Sequence, residues 1–384
     1  MSLAVDSHIE RRYAIERHIG SGAYGVVWRA IDKKTKQPVA LKKVYDAFGV
    51  QQDAQRTYRE VMILQRLSHP NIIKLLNVLR AVNGNDLYLV FELLETDLHA
   101  VIRSGLLKEI HHQFLTYQLL RCMKYIHRKG IIHRDLKPAN ILINSDCVMK
   151  LADFGLARTL ADLPAEQEVR PILTEYIATR WYRSPEVLLG TKLYTAAMDM
   201  WAVGCIIAEM LTGSPLYRGD STLQQLSIIV ASLGQPGDED IDALRTEHAH
   251  DLLKKLPHPG RPVDKLRDTL MGHPGEAVHL ITSLLVFNPR KRMTSHEALC
   301  HPYVAPFCAE DERSDSVDFD GPISIPLPDE TRFSIGEYRD ALYTEITKQK
   351  REVRRLRGRR VRHVFSESDL VRDGDDDGGE LNQL

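Results

Sequence analysis

IHRDLKPANILINSDCVMKLADFG, residues 132–155, is the stretch on which the reading of the whole chain turns. It sets Asp135, Lys137, Asn140 and Asp153 in two short polar turns separated by apolar runs. That combination suits a site that must hold a metal-bound triphosphate beside a hydroxyl nucleophile. Asp135 can accept a hydroxyl proton and Lys137 can neutralise charge on a transferring phosphoryl group, while Asn140 and Asp153 are hard oxygen ligands suited to Mg2+.

Upstream, residues 13–44 alternate apolar and polar side chains around two turns, as strands do. The first turn, GSGAYGVV, places Gly20, Gly22 and Gly25 where backbone amides could approach phosphates closely. Taken alone, this spacing also fits a dinucleotide fingerprint or a flexible hairpin. The segments that follow, VVWRAID and PVALKKV, continue the strand pattern and open no helix, which favours a hairpin that covers phosphates. Lys42 falls in the inner position of VALK beside Ala40 and Leu41, an odd place for a solvated lysine. Residues 53–67 switch to helical spacing, with Val61, Leu64 and Leu67 on one face and Arg56, Arg59 and Glu60 near the start. Residues 72–79 and 86–92 read as two more strands, and 112–129 as an amphipathic helix buried through Leu115, Leu119 and Ile126.

With 384 residues, 43% of them hydrophobic, the chain can bury a sizeable core. Its 51 basic and 52 acidic residues nearly cancel, so no whole-chain field toward nucleic acid or membrane follows. Cys122, Cys147, Cys205, Cys300 and Cys308 show no CxxC pairing; they suggest neither a disulfide framework nor a zinc site and read as buried thiols of an intracellular protein. MSLAVDSHIERRY has no apolar signal core, Ser2 stands where myristoylation requires glycine, and no apolar run reaches membrane length. Secretion, N-terminal acylation and a membrane span are not expected.

HRDLKPAN and DFG match the catalytic and metal-binding loops of the eukaryotic protein kinases residue for residue, so the chain resembles that family. The resemblance implies an α+β, bilobal kinase fold over 13–304 after an N-terminal extension of 1–12. A small β-rich N-lobe would run to about residue 92 and a larger helical C-lobe from about 93. ATP and Mg2+ are the implied cofactors. Gly20, Gly22 and Gly25 would cover the phosphates, with Lys42 oriented by Glu60 against the α- and β-phosphates. Val27 and Ala40 would lie above adenine and Leu142 below, backbone groups of Glu92 and Leu94 would hydrogen-bond it, and Phe91 would close the rear of the pocket. Read singly, Val27, Ala40 and Leu142 are ordinary core residues and Glu60 a surface glutamate. Asp97 suits a helix N-cap as well as the ribose. The family gives the base role to Asp135, which leaves His133 to anchor the loop. A buried Glu186–Arg292 pair and an Asp199 brace under the catalytic loop are implied as scaffold.

Between Asp153 and Glu186 runs a long polar loop containing Thr174-Glu175-Tyr176. A Thr-x-Tyr pair here resembles the mitogen-activated protein kinases, and TEY their extracellular-signal-regulated branch. Arg56, Arg59, Arg134, Arg158, Arg180 and Arg183 would repel one another until phosphate arrives. By the family's pattern, phospho-Thr174 ties Arg59, Arg134 and Arg158 together and phospho-Tyr176 meets Arg180 and Arg183. The plain alternative is that these arginines pair with ordinary carboxylates. IATRWYRSPE resembles the docking wall of proline-directed kinases, so protein substrates with Ser/Thr-Pro sites are expected; Ser184 replaces the commoner alanine there.

Residues 234–271 resemble the insert of this kinase group or a plain surface excursion, and NPRKRMTSHEALCHPYV resembles the end of the fold. An extension, 305–347, is expected to pack on the kinase. Within it the acidic run 310–320 could face a docking peptide or serve as a linker. RFSIGEYRDALYTEI and LLETDLHAVIRSG resemble the atypical seventh and eighth members of the branch, which implies self-phosphorylation of TEY. Residues 348–362 are densely basic and read as a nuclear-import signal, a nucleic-acid or lipid contact, or a solvated helix end. DGDDDGGE at 373–380 reverses the charge, and the tail 348–384 is expected to be partly disordered. The whole reads as an intracellular serine/threonine kinase of cytoplasm and nucleus, transferring the γ-phosphoryl of ATP and switched on at Thr174 and Tyr176. The alternatives are a kinase-shaped scaffold of weak catalysis and an unrelated dinucleotide-binding enzyme. Competent residues at every catalytic position argue against the scaffold.

Overall fold

The computed structural model describes residues 4–22, 25–160, 180–191, 194–246, 249–256, 265–309, 321–328, 331–348, 350–351 and 355. Thr174, Tyr176, the acidic runs 310–320 and 373–380 and most of the basic run lie outside them.

Strands β1 (Tyr13–Gly22), β2 (Gly25–Asp32), β3 (Pro38–Val44), β4 (Leu75–Arg80) and β5 (Leu87–Glu92) form one antiparallel sheet in the order β1-β2-β3-β5-β4. Strand geometry sends alternate side chains to opposite faces, and here both faces are covered. Tyr88 and Val90 join Trp28, Val39 and Leu41 in an outer cluster, whereas Leu87, Leu89 and Phe91 point into the main core. The fourth strand begins at Leu75, three residues later than its sequence suggests. Ile72 and Ile73 are buried but serve the other lobe: the Ile73 amide donates to the Leu151 carbonyl at 2.9 Å, and the Leu151 amide to the Asn71 carbonyl at 2.9 Å.

Helix α1 (Gln51–Arg66) packs on the inner face through Ala54, Tyr58, Val61, Met62 and Leu64. The larger lobe is built on α2 (Glu109–Arg128) and α3 (Ala197–Thr212). Every residue of α3 from 198 to 211 is buried, as befits a helix apolar on nearly all sides. Between the lobes, Thr96–Asp97, Ile141–Ile143 and Met149–Leu151 make a three-stranded sheet whose buried Ile141, Ile143, Met149 and Leu151 fix the ends of the two polar turns. All five cysteines are free thiols; Cys122, Cys205 and Cys308 are buried as expected, but Cys147 is half-buried and Cys300 exposed. Among the described residues no helix is long and apolar enough to cross a membrane.

After the larger lobe the chain returns to the smaller one. A capping box of Ser334 with Glu337 starts α4 (335–348), which buries Tyr338, Leu342 and Ile346 at helical spacing. Tyr338 meets Tyr58 of α1 with ring centroids 5.6 Å apart, the Leu327 amide donates to the Tyr58 hydroxyl at 3.2 Å, and Arg66 pairs with Glu345 at 3.6 Å. The helix that carries Glu60 is thus clamped from outside.

His69, between α1 and β4, stacks on Tyr125 at 4.9 Å and accepts a hydrogen bond from the Asn71 amide at 3.1 Å. Burial, with the Arg121 and Lys150 charges, lowers its pKa from 6.5 to about 4. Between those values the unfolded chain binds more protons than the folded one, so stability falls as pH drops through the window and no further below it. In denaturant titrations at pH 7 and near pH 4.5, a His69→Gln chain should lose less stability than the wild type. Equal losses would remove His69 as the cause.

Candidate active site

Asp199, at the start of α3, holds the first polar turn from beneath. Its Oδ2 accepts the His133 amide at 2.8 Å and its Oδ1 the Arg134 amide at 2.9 Å, and the His127 ring bonds Oδ2 at 3.0 Å. Arg134 sits at φ 69°, a conformation that such paired bonds must hold in place. Burial works against the Asp199 charge, yet His127, His133 and the His133 amide prevail and keep its pKa below the ordinary carboxylate value. His133 is itself buried and bridges the two turns: its Nδ1 accepts from the Asp135 amide at 3.3 Å and its Nε2 donates to the Ala152 carbonyl at 3.0 Å. Both ring nitrogens are spent, so His133 is an anchor and not a base.

Asp135 Oδ2 accepts Lys137 Nζ at 2.7 Å and Asn140 Nδ2 at 3.1 Å, and Asn140 Nδ2 also donates to the Asp135 carbonyl at 2.8 Å. The amide's donors are thereby used on Asp135, which turns its acceptor oxygen to other partners. Across the cleft, Lys42 Nζ lies 3.1 Å from Glu60 Oε1. Burial alone would lower the Lys42 pKa, but the Glu60 and Asp153 carboxylates raise it above the ordinary lysine value. Burial likewise opposes the Asp153 charge, and Lys42, Arg56, His133 and Lys137 overcome it, bringing its pKa down to about 2.

Asp153 has a partner that the sequence did not reveal. Arg56 Nη2 lies 3.2 Å from Oδ1 and 3.3 Å from Oδ2. Arg56 and Glu60 are four residues apart on α1, so the turn that aims Glu60 at Lys42 also aims Arg56 into the cleft. That spacing was the available signal. Gly155 is what admits the guanidinium, since a Cβ there would come within 2.5 Å of Arg56 Nε.

The other arginines converge on one stretch of backbone. Arg59 donates to the Gly155 carbonyl at 3.0 Å, Arg134 to that of Leu156 at 3.4 Å, and Arg158 to those of Leu156 and Ala157 at 3.3 and 2.9 Å. The repulsion expected among these cations is therefore met by carbonyl oxygens and, for Arg56, by Asp153. Arg180 and Arg183 close a turn in which the Arg183 amide donates to the Arg180 carbonyl at 3.1 Å.

Val27, Ala40, Leu94 and Leu142 are only partly buried, whereas Val26, Val39, Leu41, Ile141 and Ile143 beside them are buried. Val27 pairs across the sheet with Lys42, and Ala40 with the buried Phe91. The Glu92 amide donates to the Lys74 carbonyl at 3.2 Å and its carboxylate pairs with Lys150 at 3.0 Å, so both are engaged at the lobe junction. No described backbone group bonds Leu94. Asp97 acts as an N-cap, accepting the Ala100 amide at 2.9 Å. A Cβ on Gly25 would strike the Lys43 carbonyl oxygen at 2.0 Å, but at Gly20 or Gly22 it would meet nothing within 4 Å. Deeper in the larger lobe, Arg292 clasps Glu186 through two bonds of 2.7 and 3.0 Å, both side chains buried. Ser184 is buried beside them.

A protein kinase domain matches the chain over residues 13–304. The chain is 50% identical to Extracellular signal-regulated kinase 2 of Dictyostelium discoideum over 91% of its own length and 94% of that protein. It is 47% identical to Mitogen-activated protein kinase 15 of Xenopus laevis over 95% of this chain and 62% of that one. Extracellular signal-regulated kinase 7 of Drosophila melanogaster is 43% identical over 90% of this chain and 38% of its own length. The chain thus spans nearly all of the first relative and less than two thirds of the other two. A match of this kind overturns the dinucleotide-binding alternative. Identities of this size, carried through both lobes and into the segment that clamps α1, make the chain a member of the mitogen-activated protein kinases, serine/threonine kinases, in the extracellular-signal-regulated branch and similar to its atypical seventh and eighth members.

Proposed function

We propose that this kinase transfers the γ-phosphoryl group of ATP to serine or threonine followed by proline in proteins, and that it phosphorylates its own Thr174 and Tyr176 to become fully active. The observation that carries this reading is Lys42 held at 3.1 Å from Glu60, with the charge of Asp153 also acting on it. Lys42 would bind the α- and β-phosphates, with the backbone at Gly20 and Gly22 open for them while Gly25 serves the sheet. Val27, Ala40 and Leu142 enclose adenine, and backbone groups of Glu92 and Leu94 hydrogen-bond it. Asp135 takes the hydroxyl proton, and Lys137 meets the charge of the transferred group. The rate enhancement comes from positioning and charge neutralisation.

Asp153 and the oxygen of Asn140 are hard donors, and among the described residues no cluster of three or more His, Cys, Asp or Glu would hold a metal by itself. Such a partial set fits Mg2+, which keeps waters and takes the rest of its shell from phosphate oxygens. When bound, Mg2+ neutralises phosphate charge. Phospho-Thr174 would draw Arg59, Arg134 and Arg158 off neutral carbonyls onto a charged acceptor, whose oxygens can take guanidinium groups through paired bonds. Phospho-Tyr176 would meet Arg180 and Arg183. An intracellular, cytoplasmic and nuclear setting, and docking of basic peptides on 310–320, complete the proposal.

Purified chain incubated with labelled ATP, Mg2+ and a Ser/Thr-Pro peptide should label the peptide, Thr174 and Tyr176. Lys42→Arg should lower all three by about a hundredfold or more. Failure of the wild type to label any of them, or an unchanged rate in Lys42→Arg, would end the reading.

A further inference from the structure

Where α4 crosses the end of β4, a cleft of about 670 Å³ opens between the two, with neither Lys42 nor Asp135 in its lining. Arg80, from the last position of β4, faces Lys348 and Arg351 from α4 and its continuation, with Arg355 beyond and Asp340 as the one carboxylate in the lining. The place is built. The Arg80 guanidinium carbon lies over the Tyr343 ring, 4.5 Å from its centroid, and that ring packs on Phe48 at 6.1 Å. The Arg80 carbonyl is bonded by His8 at 2.9 Å, and Lys350 staples the helix to β4 through the Val78 carbonyl at 3.0 Å.

Two acidic residues of α4 act away from the cleft or beside it, and Glu337 caps the helix. Glu345 pairs with Arg66, and Asp340 has Arg339 at 3.8 Å. Among the described residues, no carboxylate comes within ion-pair distance of Arg80, Lys348 or Arg351. The negative C-terminal end of a helix accounts for cations at 348 and 351. It does not account for Arg80, which arrives from a different lobe element and is held by an aromatic ring so as to face them.

We propose that this cleft is a binding site for a polyphosphorylated anion, its phosphates shared among Arg80, Lys348 and Arg351, with the exposed Thr344 hydroxyl as a further donor. A cleft of this volume is the size of a small-molecule site, and clustered phosphates are the anions for which guanidinium and ammonium pairs are best suited. Because α4 also clamps α1, an occupied cleft joins the end of β4 and the Glu60 helix to one ligand. This site does not rest on the catalytic reading, and its test needs no turnover.

Inositol hexakisphosphate should bind the full chain at one saturable site in calorimetry, with affinity falling at least about tenfold in Arg80→Ala and again in Lys348→Ala/Arg351→Ala, the loss expected for one charge-assisted bond or more. Arg80→Lys should fall between, keeping charge but losing the guanidinium fork. A parallel arm sediments the chain with phosphatidylcholine vesicles that contain or lack phosphatidylinositol bisphosphate. Arg80-dependent binding in that arm assigns the site to a lipid headgroup, and binding only in the first arm to a free anion. Arg80 is exposed and 268 residues before Lys348, so binding by the basic tail alone would be untouched by Arg80→Ala. No saturable binding in either arm, or equal binding by Arg80→Ala, would overturn the site.

Discussion

Asp153→Ala should lower phosphoryl transfer by about a thousandfold or more while the chain stays folded. Asp153 is the carboxylate of the proposed metal pair, and a bound divalent ion contributes several kcal/mol of charge stabilisation during transfer; about 4 kcal/mol corresponds to three decades in rate. The structural loss is smaller. Lys42 keeps Glu60 at 3.1 Å, and the Arg56 contact removed is with a partly exposed side chain, a class of pair that contributes about 1 kcal/mol or less. Initial rates at saturating ATP, with a melting curve on the same sample, separate the two effects. A folded Asp153→Ala enzyme working at the wild-type rate would contradict the metal assignment.

Arg292→Ala should cost about 3–5 kcal/mol of stability, because it strands the buried Glu186 carboxylate without a counter-charge. Its guanidinium also donates to the carbonyls of Val286 and Ala197, which lose their partners too. Denaturant midpoints give the loss directly. Glu186→Gln/Arg292→Met removes both charges and should recover part of it, since the larger cost lies in leaving one ion alone. A single variant as stable as the wild type would show the clasp to be ornamental.

Much of the site could be read from the chain because its residues are bound to their neighbours by short-range geometry. Asp135, Lys137 and Asn140 lie within one turn, and His133 reaches the next turn through Ala152. The Asp199 brace, the Glu186–Arg292 clasp and the Lys42–Glu60 pair came by resemblance, since no local pattern brings residues that far apart in sequence together. What escaped was set by tertiary approach. The Arg56 contact depends on how closely α1 rides over Gly155, and composition says nothing of that. The arginines meant for phosphate rest on carbonyl oxygens, acceptors that every residue carries and no sequence pattern marks. The start of β4 moved because Ile72 and Ile73 are apolar and strand-like yet bond to the Leu151 segment. The segment 305–347 was expected only as an extension packing on the kinase; the buried face of Tyr338, Leu342 and Ile346 and the α1 surface it covers come from the structure.

Because Arg56 lies 3.2 Å from Asp153, that carboxylate already has a cation of the chain's own on it. On the proposed reading the nucleotide's ion must evict that resident before it can be seated. Eviction works in both directions: whatever draws the Gln51–Arg66 helix outward bares the carboxylate, and an ion that settles there pushes the helix the same way. Appetite for free magnesium and the poise of one helix are then two readings of a single dial.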